Sequence, residues 1–114
     1  MQDSILQDIK KLLGIEYDII DFDHDLVMYI NSVFMTLNQM GVGPKETFSI
    51  NNSSAIWADF LGENSDIEAV KTYVYFKVKK MFDPATNSTV SQANDQIISE
   101  LEWRLNSRSD FQNN

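Results

Sequence analysis

From Phe22 to Met40 the chain carries apolar side chains at helical spacing without a break, and an apolar stripe of this length must be covered by other elements. At 1.5 Å per residue such a helix spans about 30 Å, the length of a small domain. The stripe consists of Leu26, Ile30, Val33, Leu37 and Met40. Because an amphipathic helix cannot bury its own apolar face, the chain is expected to fold as several helices around a shared core.

Three other long segments have the same period. Helices are predicted over residues 3–13, 65–82 and 88–106, with a shorter one over 55–61. Asp3 or Ser4 can cap the first helix, and Gly14 follows it where a left-handed residue commonly ends a helix. Thr72–Val78 has the β-branched and aromatic composition of a strand. A helix is favoured there because Ser65 and Glu68 match a capping box at its start.

The run Gly41-Val42-Gly43-Pro44 is the strongest break in the chain. Phe48–Ile50 follows it as a short strand or an extended loop. We therefore predict an all-α fold, a compact bundle of four to five helices with a Gly/Pro-containing loop. Residues 1–106 would form a single domain and residues 107–114 a flexible polar tail. The predicted core comprises Ile9, Leu13, Leu26, Ile30, Val33, Leu37, Trp57, Phe60, Val70, Val74, Val78, Ile97, Leu101 and Trp103.

The composition excludes several classes of protein. The chain has 114 residues and no Cys, so disulfide scaffolds, Cys-ligated zinc and thiol catalysis are ruled out. It has no apolar run of transmembrane length, and Met1–Lys11 lacks the apolar stretch of a signal peptide, so no membrane association is expected. The net charge of −8 disfavours general binding to nucleic-acid phosphates.

The charge is unevenly distributed along the chain. Residues 1–70 carry twelve acidic and three basic side chains, a sum of −9, whereas residues 71–114 carry five acidic and six basic ones, a sum of +1. A solvated acidic face would explain this distribution through solubility alone. Head-to-tail assembly, in which unlike surfaces meet, would also use it.

No catalytic, cofactor or metal constellation is evident in the sequence. Asp21, Asp23 and Asp25 resemble the start of a calcium loop, but Leu26 and Ser32 stand where such a loop needs Gly and Glu. Carboxylates at this point instead favour the start of a helix through its dipole. His24, the only histidine, is interpreted as a surface residue in an acidic neighbourhood.

Four stretches of the chain, in this order, carry a family resemblance. They are Asp8–Ile15, Ile30–Phe34 leading into Leu37–Pro44, Val70–Val78 with Met81–Pro84, and Gln96–Leu105; Trp57–Phe60 also fits. The most specific part is Lys71–Pro84 followed by Glu100-Leu-Glu-Trp-Arg104. In their joint order and spacing these stretches resemble the small head–tail connector proteins of tailed bacteriophages, the adaptor or head-completion type that docks under the portal.

The resemblance implies an all-α subunit that forms a ring, expected to be twelve-fold on the portal. Such a ring extends the DNA channel and offers a surface to the next stopper or tail protein. The family's place is the virion neck, reached by assembly in the host cytoplasm. The resemblance implies no catalysis and no cofactor. DNA would pass the channel without specific binding, because carboxylates on the wall repel its phosphates.

Two sets of residues are the candidate sites. Contacts with the portal or with neighbouring subunits are expected from the basic group on the fourth helix and from the C-terminal segment: Lys71, Lys77, Lys79, Lys80, Arg104, Arg108 and Phe111. The expected channel-facing loop comprises Val42, Gly43, Pro44, Lys45 and Glu46. Two other classes remain open. One is a small helical protein-binding or regulatory module of a mobile element, and the other is a metal-dependent nucleotide hydrolase.

Overall fold

The computed structural model describes residues 4–44, 46–61 and 67–113, with side chains described as far as residue 106 except that of Leu61. The helices are α1 (Ile5–Leu12), α2 (Asp23–Gln39), α3 (Trp57–Leu61), α4 (Ile67–Phe82) and α5 (Ser88–Asn113). Within the described ranges the only β-type pairing is one isolated antiparallel bridge, between Ser4 and Ile56. The all-α prediction is therefore confirmed, and Thr72–Val78 lies inside a helix rather than a strand.

The ends of α1 follow from local sequence. The Ser4 hydroxyl accepts a hydrogen bond from the Gln7 backbone N–H at 3.2 Å, which satisfies one of the free donors of the first turn. At the other end Gly14 adopts a positive φ of 82°, a conformation that glycine adopts without steric cost. The predicted Ser4 cap and the predicted glycine stop are both present.

The centre of the core lies between α2 and α4, which pack against each other more extensively than any other described pair of helices. The apolar stripe of α2 and the inward face of α4 are both almost completely removed from solvent. The residues concerned are Leu26, Ile30, Val33, Phe34 and Leu37 on α2, with Val70, Tyr73, Val74 and Val78 on α4. α1 packs against both helices, and α5 covers α4 from the far side.

A cluster of four aromatic rings closes one end of the core. The Phe34 ring centroid lies 4.6 Å from that of Phe60, 5.0 Å from that of Phe48 and 6.4 Å from that of Trp57. The segment that carries Phe48 is an extended loop and not a strand. Asn31 explains how it is held, because its side-chain amide binds both the N–H and the C=O of Ile50, at 2.7 and 2.9 Å.

The predicted buried face of α5 was wrong at Ile97 and Trp103 and right at Leu101. Ile97 is 37% exposed and Trp103 is 71% exposed, whereas Ile98 and Leu105 are buried together with Leu101. Successive helical residues point about 100° apart, so a rotation of the helix by about half that angle exchanges Ile97 for Ile98 at the interface. α5 packs mainly on α4, and a single partner helix buries only a narrow stripe. Leu13, also predicted as core, is half-buried at the edge of the core.

The other predicted core residues are buried, and they lie on α1, α2, α3, α4 and α5. They are Ile9, Leu26, Ile30, Val33, Leu37, Trp57, Phe60, Val70, Val74, Val78 and Leu101.

α5 is longer than predicted, because it continues to Asn113 and not only to Asn106. The segment 107–113 contains neither Gly nor Pro, so nothing in its sequence ends the helix. The mobility of residues 107–114 stays a prediction. No helix in the described part of the chain combines the length and the apolar composition that a membrane crossing requires.

Candidate interaction surfaces

The acidic cluster at the start of α2 has a structural role in this fold. Asp23 Oδ1 lies 2.9 Å from the ammonium group of Lys10. Asp23 and Asp25 also occupy the first turn of α2, where a carboxylate interacts favourably with the helix dipole. Among the described residues there is no group of three or more His, Cys, Asp or Glu side chains arranged to hold a metal ion.

Lys10 is completely buried, and sequence reasoning missed it. Besides the contact with Asp23, its ammonium donates hydrogen bonds to the backbone carbonyls of Tyr17, at 3.1 Å, and Ile19, at 2.6 Å. A buried charge is tolerated only when partners of this kind surround it. The one signal in the sequence was that Lys10 directly follows Ile9, a predicted core residue. Lys10 thereby ties the α1–α2 loop to the body of the molecule.

The loop that Lys10 holds displays apolar side chains to solvent. Tyr17 is 76% exposed and Ile20 is 70% exposed, and Glu16, Asp18 and Asp21 beside them are exposed as well. At the end of the loop the Phe22 ring packs edge-on against Phe82 on α4, with the centroids 5.3 Å apart. We call residues 16–22 the loop surface. It combines apolar tips, carboxylates and a fixed backbone.

A second exposed surface lies on α5. Trp103 borders a shallow cleft of about 370 Å³ that is also lined by Ser99, Glu100 and Arg104. Arg104 is exposed, as predicted for a contact residue. We call these four residues the Trp103 cleft. Exposed Trp and Arg are the residue types that most often anchor protein interfaces.

The four lysines of α4 do not form one basic patch. Lys71 points towards α1, with its Nζ 3.8 Å from Asp8 Oδ2 and 5.7 Å from the centre of the Trp57 ring. Lys80 points towards α5 and pairs with Asp95 at 3.0 Å. Lys79 lies 3.9 Å from Asp83. A single basic contact surface made of these residues is therefore not supported, because they divide between opposite sides of the helix.

Lys77, the fourth of these lysines, is half-buried on α4. Arg108 and Phe111, the other predicted contact residues, have side chains outside the described residues.

A groove between α1 and α4 forms a third candidate surface. It has a volume of about 500 Å³ and is lined by Asp8, Lys11, Leu12, Glu68, Lys71, Thr72, Tyr75 and Phe76. Asp8 is already engaged, because it accepts a hydrogen bond from the Trp57 indole N–H at 2.8 Å. The groove carries two acidic and two basic side chains, so its charge does not favour a partner of either sign.

The predicted channel-facing loop is partly packed into the protein. Val42 is buried, contrary to the expectation that it faces a channel. It follows Gly41, which turns the chain back onto the core with a φ of 81°. Gly43 and Pro44 are exposed, and the Asn38 side chain donates a hydrogen bond to the Pro44 carbonyl at 3.3 Å. Glu46 is exposed too, and Lys45 lies outside the described residues.

One buried polar contact joins α4 to α5 beneath these surfaces. The Tyr73 hydroxyl donates a hydrogen bond to Glu102 Oε2 at 2.8 Å. Burial raises the pKa of Tyr73 well above its ordinary value, and the Glu102 carboxylate raises it further by accepting that hydrogen bond and by its charge. The phenol therefore stays protonated and keeps the two helices in register.

Comparison with known proteins identifies the family of the chain. Searches of curated proteins and of solved structures return no significant match. A family model described as phage connector protein matches residues 5–112, which is nearly the whole chain and includes all five helices but for the last residue of α5. The chain therefore belongs to the phage connector protein family.

Proposed function

We propose that this connector is a head–tail adaptor. Copies of the chain form a ring under the portal, twelve-fold on the portal itself, and the ring extends the DNA channel. Its far side receives the next head-completion, stopper or tail protein. The protein acts in the virion neck after assembly in the host cytoplasm. The family match over residues 5–112 carries the proposal, because it spans the whole helical bundle rather than one motif.

The structure supports a binding role over a catalytic one. The described residues provide rigid helical surfaces with exposed anchors such as Tyr17 and Trp103. Of the aspartates that resembled a metal loop, Asp23 and Asp25 occupy the first turn of α2, and Asp23 also pairs with Lys10. The proposed function includes neither a catalytic step nor a cofactor.

The acidic surplus has a use in this role. A ring that surrounds DNA must let the duplex slide, and carboxylates on the channel wall repel its phosphates. Exposed Glu46 in the loop after α2 is our candidate for such a wall residue. Gly43 and Pro44 would accompany it, whereas buried Val42 would not.

The proposal is tested by negative-stain microscopy of the protein mixed with its cognate portal. We expect rings of the connector attached to one end of the portal, and no such attachment with a portal from an unrelated phage. A chain that stays monomeric and never binds the cognate portal would favour the alternative, a regulatory module of a mobile element. Nucleotide hydrolysis that requires Mg²⁺ and disappears in Asp21→Ala would favour an enzyme instead.

A further inference from the structure

The loop surface combines exposed apolar side chains, carboxylates and a backbone that a buried lysine holds in place. We infer that this surface, residues 16–22, is a docking site for a different protein, whose matching surface carries Lys or Arg side chains around an apolar recess. The inference rests on the proposed function, under which this partner is a neighbouring protein of the virion neck. It identifies the part of the chain that such a partner contacts and the chemistry of the contact.

The side chains of the loop surface contribute little to the core. All residues from Glu16 to Phe22 are exposed, and they include the large apolar side chains of Tyr17, Ile19 and Ile20. Ile19 is 42% exposed, and the other two are more exposed than that. Apolar side chains gathered on one exposed segment mark an interaction site, because the folded chain gains nothing by leaving them in water.

A buried charge holds this loop in one conformation. The Lys10 ammonium donates hydrogen bonds to the carbonyls of Tyr17 and Ile19 and pairs with Asp23. Placing an ammonium group inside a protein costs free energy, which these partners offset only at bonding distance. The bonds order a segment whose own side chains stay in solvent, so they preserve the shape of the loop. A loop that is ordered in advance loses less conformational entropy when a partner binds.

The loop surface is negatively charged where its apolar tips lie. Asp18 and Asp21 are exposed, and in the sequence they flank Ile19 and Ile20. Residues 12–44 contain no Lys or Arg. A partner that covers the two isoleucines therefore comes close to both carboxylates. Lys or Arg side chains on the partner would favour its approach and fix its orientation.

The two nearest lysines in the sequence have other carboxylates beside them. Lys10 is buried and pairs with Asp23, and Lys11 lines a cleft together with Glu16. Their charges therefore offset carboxylates at the two ends of the loop rather than those at its tip. The negative charge at the tip is left for a partner.

A second copy of this chain offers little basic surface in the part that the structure describes. Lys71, Lys79 and Lys80 each lie beside a carboxylate, at 3.0 to 3.9 Å. Arg104 shares its cleft with Glu100, so that lining carries no net charge. The occupant that fits the loop surface is therefore a protein other than the connector itself.

Binding of the connector to its cognate portal, and separately to the next neck protein, tests the site by biolayer interferometry. Ile20→Ala removes an apolar tip and should weaken binding to one of these two proteins about tenfold. Met35→Ala is the matched control, because Met35 is an exposed apolar residue of α2 about 20 Å along the helix from the loop. It should leave binding unchanged. Both side chains are more than half exposed, so neither change should alter the thermal unfolding temperature.

The salt dependence of the association rate tests the charge of the contact. Asp18→Asn should slow association about threefold in about 0.05 M NaCl and much less in about 0.5 M NaCl, because salt screens exposed charges. Glu46→Gln removes an exposed carboxylate from the loop after α2 and should not slow association. Equal slowing by the two variants would mean that only the net charge of the chain matters, and it would overturn the docking site.

The outcomes separate this site from the proposed function. Unchanged binding of Ile20→Ala and Asp18→Asn to both neck proteins would overturn the docking site and leave the adaptor role intact. Failure of the wild type to bind either protein would contradict the adaptor role and the docking site together. An effect of Ile20→Ala without one of Asp18→Asn would overturn the basic character of the partner. Self-association of the connector alone that Ile20→Ala abolishes would identify a second copy as the occupant and overturn the inference.

Discussion

Lys10 is a charged residue inside the protein, and its ammonium group has three acceptors within 3.1 Å. Gly43 is another residue whose environment leaves little room for substitution. Its φ is 88°, and a Cβ added to it would clash with the ring of Phe60. Both residues fix loops to the core, the first between α1 and α2 and the second after α2. Substitutions at these positions should therefore affect stability strongly.

Replacing Lys10 with Met should lower the free energy of unfolding by about 3 kcal/mol, because two backbone carbonyls lose their donor and Asp23 loses its partner. The measurement is urea unfolding followed by circular dichroism. Lys11→Met is the matched control, since Lys11 is the exposed neighbour on the same helix and should change stability by less than about 0.5 kcal/mol. Equal effects at the two positions would contradict the role assigned to Lys10.

Gly43→Ala and Gly14→Ala form a second matched pair. Both glycines have a positive φ, so alanine should cost about 1 kcal/mol at either position through backbone strain. A Cβ at position 14 has no atom within 4 Å, whereas at position 43 it meets the packed Phe60 ring. We expect Gly43→Ala to lose about 1–3 kcal/mol more than Gly14→Ala in the same unfolding assay. A smaller loss at position 43 would mean that the loop moves away from Phe60 freely.

At the level of elements, α5 differs from the other long helices because it packs mainly on one neighbour. Its buried side chains form a narrow stripe, and its opposite face is solvent-exposed around Trp103. Polar contacts between its described part and α4 include the Tyr73–Glu102 hydrogen bond and the Lys80–Asp95 ion pair. These connections and the stripe together set the rotation and the register of α5.

Adjacent isoleucines report the rotation of α5. Ile98→Ala should destabilise the protein by about 2–4 kcal/mol, because it removes a buried side chain from the interface with α4. Ile97→Ala should cost less than about 1 kcal/mol, because Ile97 is 37% exposed. Thermal and urea unfolding of the two variants measure the difference. A larger loss of stability in Ile97→Ala than in Ile98→Ala would place Ile97, and not Ile98, against α4.

The Tyr73–Glu102 bond predicts a dependence of stability on alkaline pH. The pKa of Tyr73 is raised in the folded protein, so the folded state retains this proton while the unfolded chain releases it above about pH 10. The stabilisation is complete below pH 10 and decreases as the pH rises further. Tyr73→Phe should lose about 1–2 kcal/mol at pH 7. The free energy of unfolding of this variant should also decrease less steeply with pH than that of the wild type between about pH 10 and 11.5. If the free energies of unfolding of Tyr73→Phe and the wild type changed with pH in parallel, this linkage would be ruled out.

At the scale of the whole molecule, the charge distribution distinguishes an adaptor from a DNA-binding protein. The chain carries a net −8, and its acidic half contains both the loop surface and Glu46. An adaptor lies beside DNA and must not retain it. The four lysines of α4, which could have formed a DNA-binding patch, are divided between two sides of the helix and partly paired.

The protein is therefore expected to show no measurable affinity for duplex DNA, with a Kd weaker than about 10⁻⁴ M even at low salt. Fluorescence anisotropy of a labelled duplex in 50 mM NaCl measures this, with a basic DNA-binding protein as the positive control. Tight, salt-sensitive binding would contradict the proposed DNA-repelling channel. It would point instead to a patch that includes the C-terminal part of α5.

The sequence alone determined the helical architecture, most helix boundaries and the buried faces of α2 and α4. These features follow from apolar periodicity, the Ser4 cap and the glycine stops. Such signals act over a few residues, so they can be recognised without knowing what the helix packs against. The stripe of α2 could be predicted in this way because other helices cover it and bury Leu26, Ile30, Val33 and Leu37. The family resemblance also rested on features spread along the chain, and the match over residues 5–112 confirms the family.

Only the tertiary structure decided which side of α5 is buried, which lysine is internal and which surfaces remain free. Ile97 and Ile98 are equally apolar, and the choice between them depends on the rotation of α5 against α4. Lys10 is buried because carbonyls nine residues or fewer away in the chain return to its ammonium group. Val42 is buried because Gly41 turns it onto the core. Each of these outcomes depends on how helices and loops pack against one another, and local periodicity contains no information about that.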